Sequence, residues 1–330
     1  MIRLSIEVIS ETLRTILTRV GFSNERAAIC ARLFAETSRD GVYSHGLNRF
    51  PRFIEAISNG FVDVNAELSC FESLGALERW DGNSGPGNLN AYSSMRRAME
   101  LSGKNGIGCV ALRNTNHWMR GGTYGWQAAD AGFIGICWTN TLPNLPPWGG
   151  IRPTVGNNPF VISVPRSEGN VVLDMAMSQF SFGALESYRR RGEQLPVVGG
   201  FDVEGELTSD PKAIETSGRP LPIGYWKGSG LSLMLDMVAA LLSDGFATYQ
   251  IPSEVVKETK VSQVFVAIQA SATNKDGMLE GVLAFMKSSA ADQSAVRYPG
   301  ERTLATRMTN LAEGIPVDEK VWESILKLGY

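Results

Sequence analysis

"GIGCVA", Gly106–Ala111, fits the spacing G-x-G-x-x-A, with which a strand–turn–helix unit seats the pyrophosphate of a dinucleotide. The spacing is useful only if a strand precedes the glycines and a helix follows, because the free N–H groups of that helix hold the phosphate. Here the order is reversed. A helical stretch over about 90–102 runs out near Gly103, and the strand-like "CVAL" follows the glycines. The motif therefore reads as a helix stop and a strand start, which argues against a Rossmann turn. Outward from it, further β-type runs appear: "GCVAL" (108–112), "FIGICWT" (133–139), "FVISVP" (160–165), "VVLDM" (171–175) and "VSQVFVAIQ" (261–269). They alternate with helical stretches at about 122–131, 229–243 and 277–288. Interleaved elements of this kind build a layered α/β domain.

The chain ends are helical. Ile9, Leu13, Ile16 and Leu17 share one helix face. Gly21 stops that helix, and Ser23 caps a second one running to about Thr37. Ile54 and Ile57 mark a short helix closed by Gly60, with Pro51 in its first turn and Asn48 as its cap. His45 then lies just outside that helix. After about residue 290 the pattern is helical again, and Asp318 caps the last helix. We expect residues 1–75 and 290–330 to form one helical accessory domain beside an α/β domain of residues 76–289.

A chain of 330 residues with a net charge of −3 offers no basic face to nucleic acid or anionic membrane. Glu7 and Glu11 interrupt the apolar run that a secretory leader needs. The longest apolar stretch, from Leu231, is broken by Asp236 and is too short to span a bilayer. Cys30, Cys70, Cys109 and Cys137 lie far apart without a C-x-x-C, which suits reduced thiols in the cytoplasm. Two histidines and no Cys/His cluster argue against a transition-metal site.

Both histidines fall in Gly-, Arg- and aromatic-rich loops, "GVYSHGLNRFPRF" (41–53) and "ALRNTNHWMRGGTYGWQAA" (111–129). Imidazole exchanges a proton near neutral pH, and guanidinium grips a carboxylate through two parallel hydrogen bonds. His45, Arg49 and Arg52 supply both groups within one short segment. Asn114, Asn116, His117 and Arg120 form a second polar cluster directly after a strand, where open α/β sheets place ligands. Ser44 beside His45 does not make a hydrolase, since adjacent residues seldom face each other and no G-x-S-x-G elbow exists. Arg189–Arg191, in "YRRRGEQLP", read as a solvated charge run. "GYWKGSGLSLMLDMV" (224–238) opens a nearly all-apolar helix that must be buried. Its free N–H groups and Lys227 suit a phosphate or carboxylate, and Gly228 and Gly230 permit close approach. The residues alone thus describe an α/β enzyme with an anion site and a candidate imidazole.

The histidine loops, "PVVGGFD" (196–202) and "GYWKGSGLSLMLDMVAALLSDG" (224–245) resemble the malate/L-lactate dehydrogenase family, which lacks a Rossmann fold, and the likeness runs nearly end to end. The resemblance implies a three-layer α/β/α domain with a mixed sheet, plus a helical domain. It also implies a cytoplasmic homodimer that reduces a 2-keto sugar acid with NADH, with NADPH a lesser substitute. By motif, the proton donor falls on His45 and the substrate-binding arginine on Arg49, while His117, with Asn116 beside it, orients the substrate. The cofactor segment falls on Asn170, Val171, Val172, Leu173, Asp174, Met175 and Ala176, the W-K pair on Trp226 and Lys227, and the last cofactor turn on Gly300, Glu301 and Arg302. Three stretches depart from the family. "GNNP" (156–159) stands where many relatives read G-T-N-P, and "PGER" where near relatives read P-G-H-E. The stretch 246–260 diverges and reads as a surface excursion. A family relative acting on malate, lactate, sulfolactate or ureidoglycolate is one rival reading; a sugar-acid-binding module without redox chemistry is the other, and intact Asp174, Trp226 and Lys227 weigh against it.

Overall fold

The computed structural model describes residues 1–252, 258–271 and 275–329. Strand β1 (Ile2–Leu4) leads into helices α1 (Ile6–Arg19) and α2 (Asn24–Arg39), each started by a serine, Ser5 or Ser23, that accepts the N–H three residues on. Two 3-10 turns, Tyr43–His45 and Leu47–Arg49, run directly into α3 (Phe50–Ser58). The chain enters α3 already coiled, so Asn48 is not its cap: that position falls on Arg49, which has helical backbone angles and makes no side-chain cap bond. There follow β2 (Ser69–Leu74), β3 (Leu77–Asp81), α4 (Gly87–Asn105), β4 (Ile107–Thr115), α5 (Gly122–Asp130), β5 (Phe133–Thr139), β6 (Phe160–Val164) and β7 (Val171–Met175). Next come α6 (Phe182–Arg191), the short pair β8 (Gly200–Phe201) and β9 (Leu207–Thr208), α7 (Pro211–Ser217), α8 (Trp226–Ser243) and β10 (Val261–Gln269). The chain closes with α9 (Lys275–Lys287), α10 (Glu301–Glu313), β11 (Ile315–Val317) and α11 (Glu319–Lys327).

Seven strands pair in the order β2-β3-β4-β10-β5-β6-β7. β3 and β4, joined through α4, are parallel, and the other neighbours are antiparallel. Central β10 is almost continuously buried, as a strand covered on both faces must be. Phe265 and Ala267 join Val110, Leu112 and Met95 on the α4/α5 side, while Val264 and Ala111 meet Leu235 and Ala239 of α8 on the other. The result is a non-Rossmann, three-layer α/β/α arrangement around a mixed sheet. "GIGCVA" lies where α4 gives way to β4. Gly106 ends α4 with φ +79°, and a Cβ on Gly108 would lie 2.1 Å from the Ala98 carbonyl oxygen. These glycines serve helix–strand contact and not a phosphate.

The two chain ends share a core. Ile9, Leu13, Phe34 and Phe50 pack with Ile315 and Ile325, and β1 pairs with β11. Asp40, buried at the end of α2, receives Arg39, Arg120 and Arg307 and so ties this helical cap to α10 and to the loop after β4.

Three expectations need correction. β2 lies before residue 75, on the helical side of the expected boundary, yet it pairs with β3 in the main sheet. It is an almost wholly exposed edge strand, so its sequence carries no apolar alternation. Helix α8 exists, but only Gly228, Ser232, Leu235, Ala239 and Ser243 are buried; Leu231, Met234, Met237 and Leu241 stand exposed. The stretch 246–260 is a surface excursion only in part where it is described, with Phe246 and Tyr249 exposed. Thr248 and Ile251 are buried, Thr248 N–H donates to Asp236 of α8, and residues 253–257 lie outside the described residues. No helix among the described residues is long and apolar enough to cross a membrane.

Candidate active site

The first histidine loop is pressed onto α2. Leu47 N–H donates to Ser38 Oγ at 2.9 Å, and a Cβ on Gly46 would lie 2.1 Å from the same oxygen. The second loop leaves β4 and is clamped by Asn116, whose Nδ2 donates to the carbonyls of Phe61, Ser84 and Gly85 at 3.1, 2.7 and 2.9 Å. Between the helical cap and the sheet the two loops enclose a cavity of about 900 Å³. His45, Arg49, Arg52, His117, Arg120 and Asp174 are all on its wall. Asn116 is not: its Nδ2 is spent on backbone carbonyls, its buried Oδ1 has no partner among the described residues, and it borders a separate chamber of about 320 Å³ behind the wall.

The imidazoles of His45 and His117 stack with centroids 5.8 Å apart and planes 15° apart, but their nitrogens are used differently. Met119 N–H donates to His117 Nδ1 at 3.0 Å, and His117 Nε2 lies 3.0 Å from Glu258 Oε2. An Nδ1 that accepts places the proton of the neutral ring on Nε2, where it is donated to the carboxylate. Both nitrogens of His117 are thus engaged. His45 Nδ1 lies 3.0 Å from Ser44 Oγ. The 3-10 turn brings these neighbours together, against the expectation that adjacent residues face apart. No partner of His45 Nε2 is found among the described residues, and this nitrogen is available to a ligand.

Burial, and then Arg49 and Arg120, push His45 down to about 4. His117 lies well below its ordinary value through burial, Arg49, His45 and Arg52. Burial raises the carboxyl of Glu258, against the pull of Arg49 and Arg52; Arg49 Nη2 is 3.4 Å from its Oε2. At neutral pH the cavity therefore holds two neutral imidazoles among guanidinium cations, a field that favours an anion.

Of the cofactor segment, Val172, Leu173, Asp174 and Ala176 line the cavity, and Val171 and Met175 do not. Asp174 Oδ2 accepts Gly122 N–H at 2.9 Å, and Arg120 Nε approaches the same oxygen at 3.8 Å without a hydrogen-bond partner. Asn170 borders a different hollow and donates to Asp130. Gly300 reaches the wall with φ +92°, beside Pro299, whose carbonyl accepts Val172 N–H at 3.0 Å. Glu301 turns to Lys287, and neither it nor Arg302 lines the cavity. Trp226 and Lys227 are exposed and also lie off the lining. The start of α8 is not an open anion nest, because the N–H groups of Lys227, Gly228 and Ser229 are taken by Gly224, Ile223 and Tyr225 carbonyls. At the "GNNP" departure, Asn157 Oδ1 accepts from Thr141 Oγ1 at 3.0 Å and from Asn144 Nδ2 at 2.9 Å, and all three residues line the cavity.

Several lining residues, Glu186, Glu215, Glu258 and Arg297 among them, escaped the sequence reading. Arg189 is exposed, as the solvated run implies, but it pairs with Glu215 and both border the cavity. Glu258 stands in "KETK" (257–260), a charged run with no apolar period to show that it turns inward.

Residues 4–326 match the family described as malate/L-lactate dehydrogenase. A 2,3-diketo-L-gulonate reductase of Citrobacter koseri is 46% identical over 99% of this chain and 100% of its own length. The structure of sulfolactate dehydrogenase from Methanocaldococcus jannaschii superposes with a TM-score of 0.90 at 26% identity, covering 99% of this chain and 96% of that one. Malate dehydrogenase from Pyrococcus horikoshii gives 0.89 at 28% identity, with 99% and 94% covered.

Proposed function

The chain belongs to the malate/L-lactate dehydrogenase family, and from that premise we propose that it reduces 2,3-diketo-L-gulonate to 3-dehydro-L-gulonate with NADH, NADPH serving less well. Membership gives an oxidoreductase with a nicotinamide cofactor and a small keto acid as substrate. The choice of substrate is supported by the reductase of Citrobacter koseri, 46% identical over its full length. One observation carries the assignment of roles: His45 Nε2 is the unengaged ring nitrogen in a cavity whose cations include Arg49.

A volume of about 900 Å³ suits a dinucleotide with a small acid, and Gly300 lets its turn pack closely against β7 at the wall, since a Cβ there would lie 3.1 Å from Val172 N. When bound, the reduced nicotinamide supplies the hydride. Arg49 pairs with the substrate carboxylate. That negative charge offsets the Arg49 field which, after burial, keeps His45 near 4, so His45 takes up a proton as the anion binds. The proton on Nε2 then passes to the carbonyl oxygen as the carbon becomes a hydroxyl centre. His45 is thus charged by substrate binding, and does not stand ready as imidazolium in the free protein. His117, with both nitrogens engaged, orients the substrate as a fixed wall. Lys227, Trp226, Glu301 and Arg302 are left as rim contacts for the far end of the cofactor. The exposed apolar side of α8 supports a homodimer, and we place the protein in the cytoplasm.

The test is loss of NADH absorbance with 2,3-diketo-L-gulonate, pyruvate, oxaloacetate and sulfopyruvate. Turnover fastest with diketogulonate is expected. A preference for another acid would keep the chemistry and change the substrate, and absence of NADH binding would overturn the reading.

A further inference from the structure

Glu258 touches two residues of the site proposed above, Arg49 and His117. Its main-chain carbonyl accepts His117 N–H at 2.9 Å, and its Oε2 lies 3.0 Å from His117 Nε2. The same oxygen is 3.4 Å from Arg49 Nη2. The side chain is part of the wall that divides the main cavity from the rear chamber. Arg49, Arg52 and His117 face it across that wall, with His45 behind His117.

We propose that Glu258 is a positioning residue of this active site: its carboxylate holds the Nε2 side of the His117 ring, opposite Met119 N–H on Nδ1, and occupies Arg49 until the carboxylate of a keto acid displaces it. A ring held at both nitrogens cannot rotate or exchange its proton, so His117 presents an invariant face to whatever lies against His45. Arg49, meanwhile, is an anion site already filled by a protein anion. Substrate binding exchanges one carboxylate for another, which keeps the guanidinium from being buried without a counter-charge. The second role rests on the reaction proposed above; the first does not.

Since the chain has two histidines, ¹⁵N-histidine spectra of the full-length protein report each ring, with His45→Asn and His117→Asn assigning them. In the wild type one ring is expected as the pure Nε2–H form. Glu258→Ala should leave the tautomer to Met119 N–H, move the His117 Nε2–H signal by loss of its acceptor, and lower kcat about 10–100-fold, as loss of an outer orienting partner does, with NADH affinity unchanged. Glu258→Gln retains an acceptor but no charge. It should keep the tautomer and lower the KM for diketogulonate several-fold, because the competing anion is gone. An unmoved His117 Nε2–H signal in Glu258→Ala, or a rise in KM and NADH dissociation together in both variants, would overturn the proposal. Should the wild type turn over no keto acid, the reaction assigned above fails, while the spectra still decide the hold on His117.

Discussion

His45 and His117 look alike in sequence, each a lone imidazole among glycines and arginines, and differ only in what their nitrogens meet. On the reaction proposed above, that difference separates donor from wall. His45→Ala is expected to cost about 10²–10⁴ in kcat at unchanged NADH affinity, read by steady-state kinetics and a fluorescence titration. Near-wild-type turnover would sink the assignment. A pH effect follows from the same residue. His45 lies near 4 in the folded chain against about 6.5 when unfolded. Between those values the unfolded chain binds more protons, so stability rises with pH across that window and is lost as pH falls through it. The contribution is about 1–3 kcal/mol, and Glu258, raised by burial, contributes with opposite sign. Urea melts at pH 7 and pH 4.5 should therefore differ less in His45→Asn than in the wild type. At this scale His45, Arg49 and His117 were legible because their loops are built of residue types that serve catalysis poorly disguised as surface. Glu258 was not, since its partners come from segments far away in the chain.

Among the elements, order was more telling than motif. Helix before glycine and strand after it sufficed to reject the dinucleotide fingerprint, α1 carries a period that matches its buried face, and β5, β7 and β10 lie on apolar runs read as strands. The start of α8 misled because glycines and a lysine before an apolar run suggest a phosphate nest, whereas the three N–H groups close on their own turn. Asp40, the join between elements, had no sequence signature. Burial would raise its carboxyl, but Arg307, Arg120 and Arg39 outweigh burial and hold it down to about 2. Asp40→Asn leaves these guanidiniums short of a counter-charge, so a loss of roughly 3–5 kcal/mol is expected by denaturant titration. Because Arg120 belongs to the second histidine loop, kcat should fall as well. A loss below about 1 kcal/mol, the level of an ordinary surface ion pair, would show that the three arginines find other partners.

At the scale of the whole molecule the unresolved tension is α8. A helix this apolar was read as buried, and one chain buries only the stripe through Ser232, Leu235 and Ala239. Leu241, Met234 and Met237 remain 78%, 55% and 48% exposed. Single exposed apolar residues are ordinary, but a row of them along one helix marks a surface that is covered in solution. A like helix from a second copy supplies an apolar cover of the same length, and a two-fold pairing closes without leaving a free face. Light scattering is therefore expected to give twice the 35.9 kDa chain mass, and Met237→Glu with Leu241→Glu to give the single mass. The pair should fold, because neither side chain enters the core and the inner stripe is untouched. A wild type that runs as a monomer would remove the homodimer from the reading, whereas a dimer that survives both glutamates would move the contact to another face and leave the α8 row unexplained.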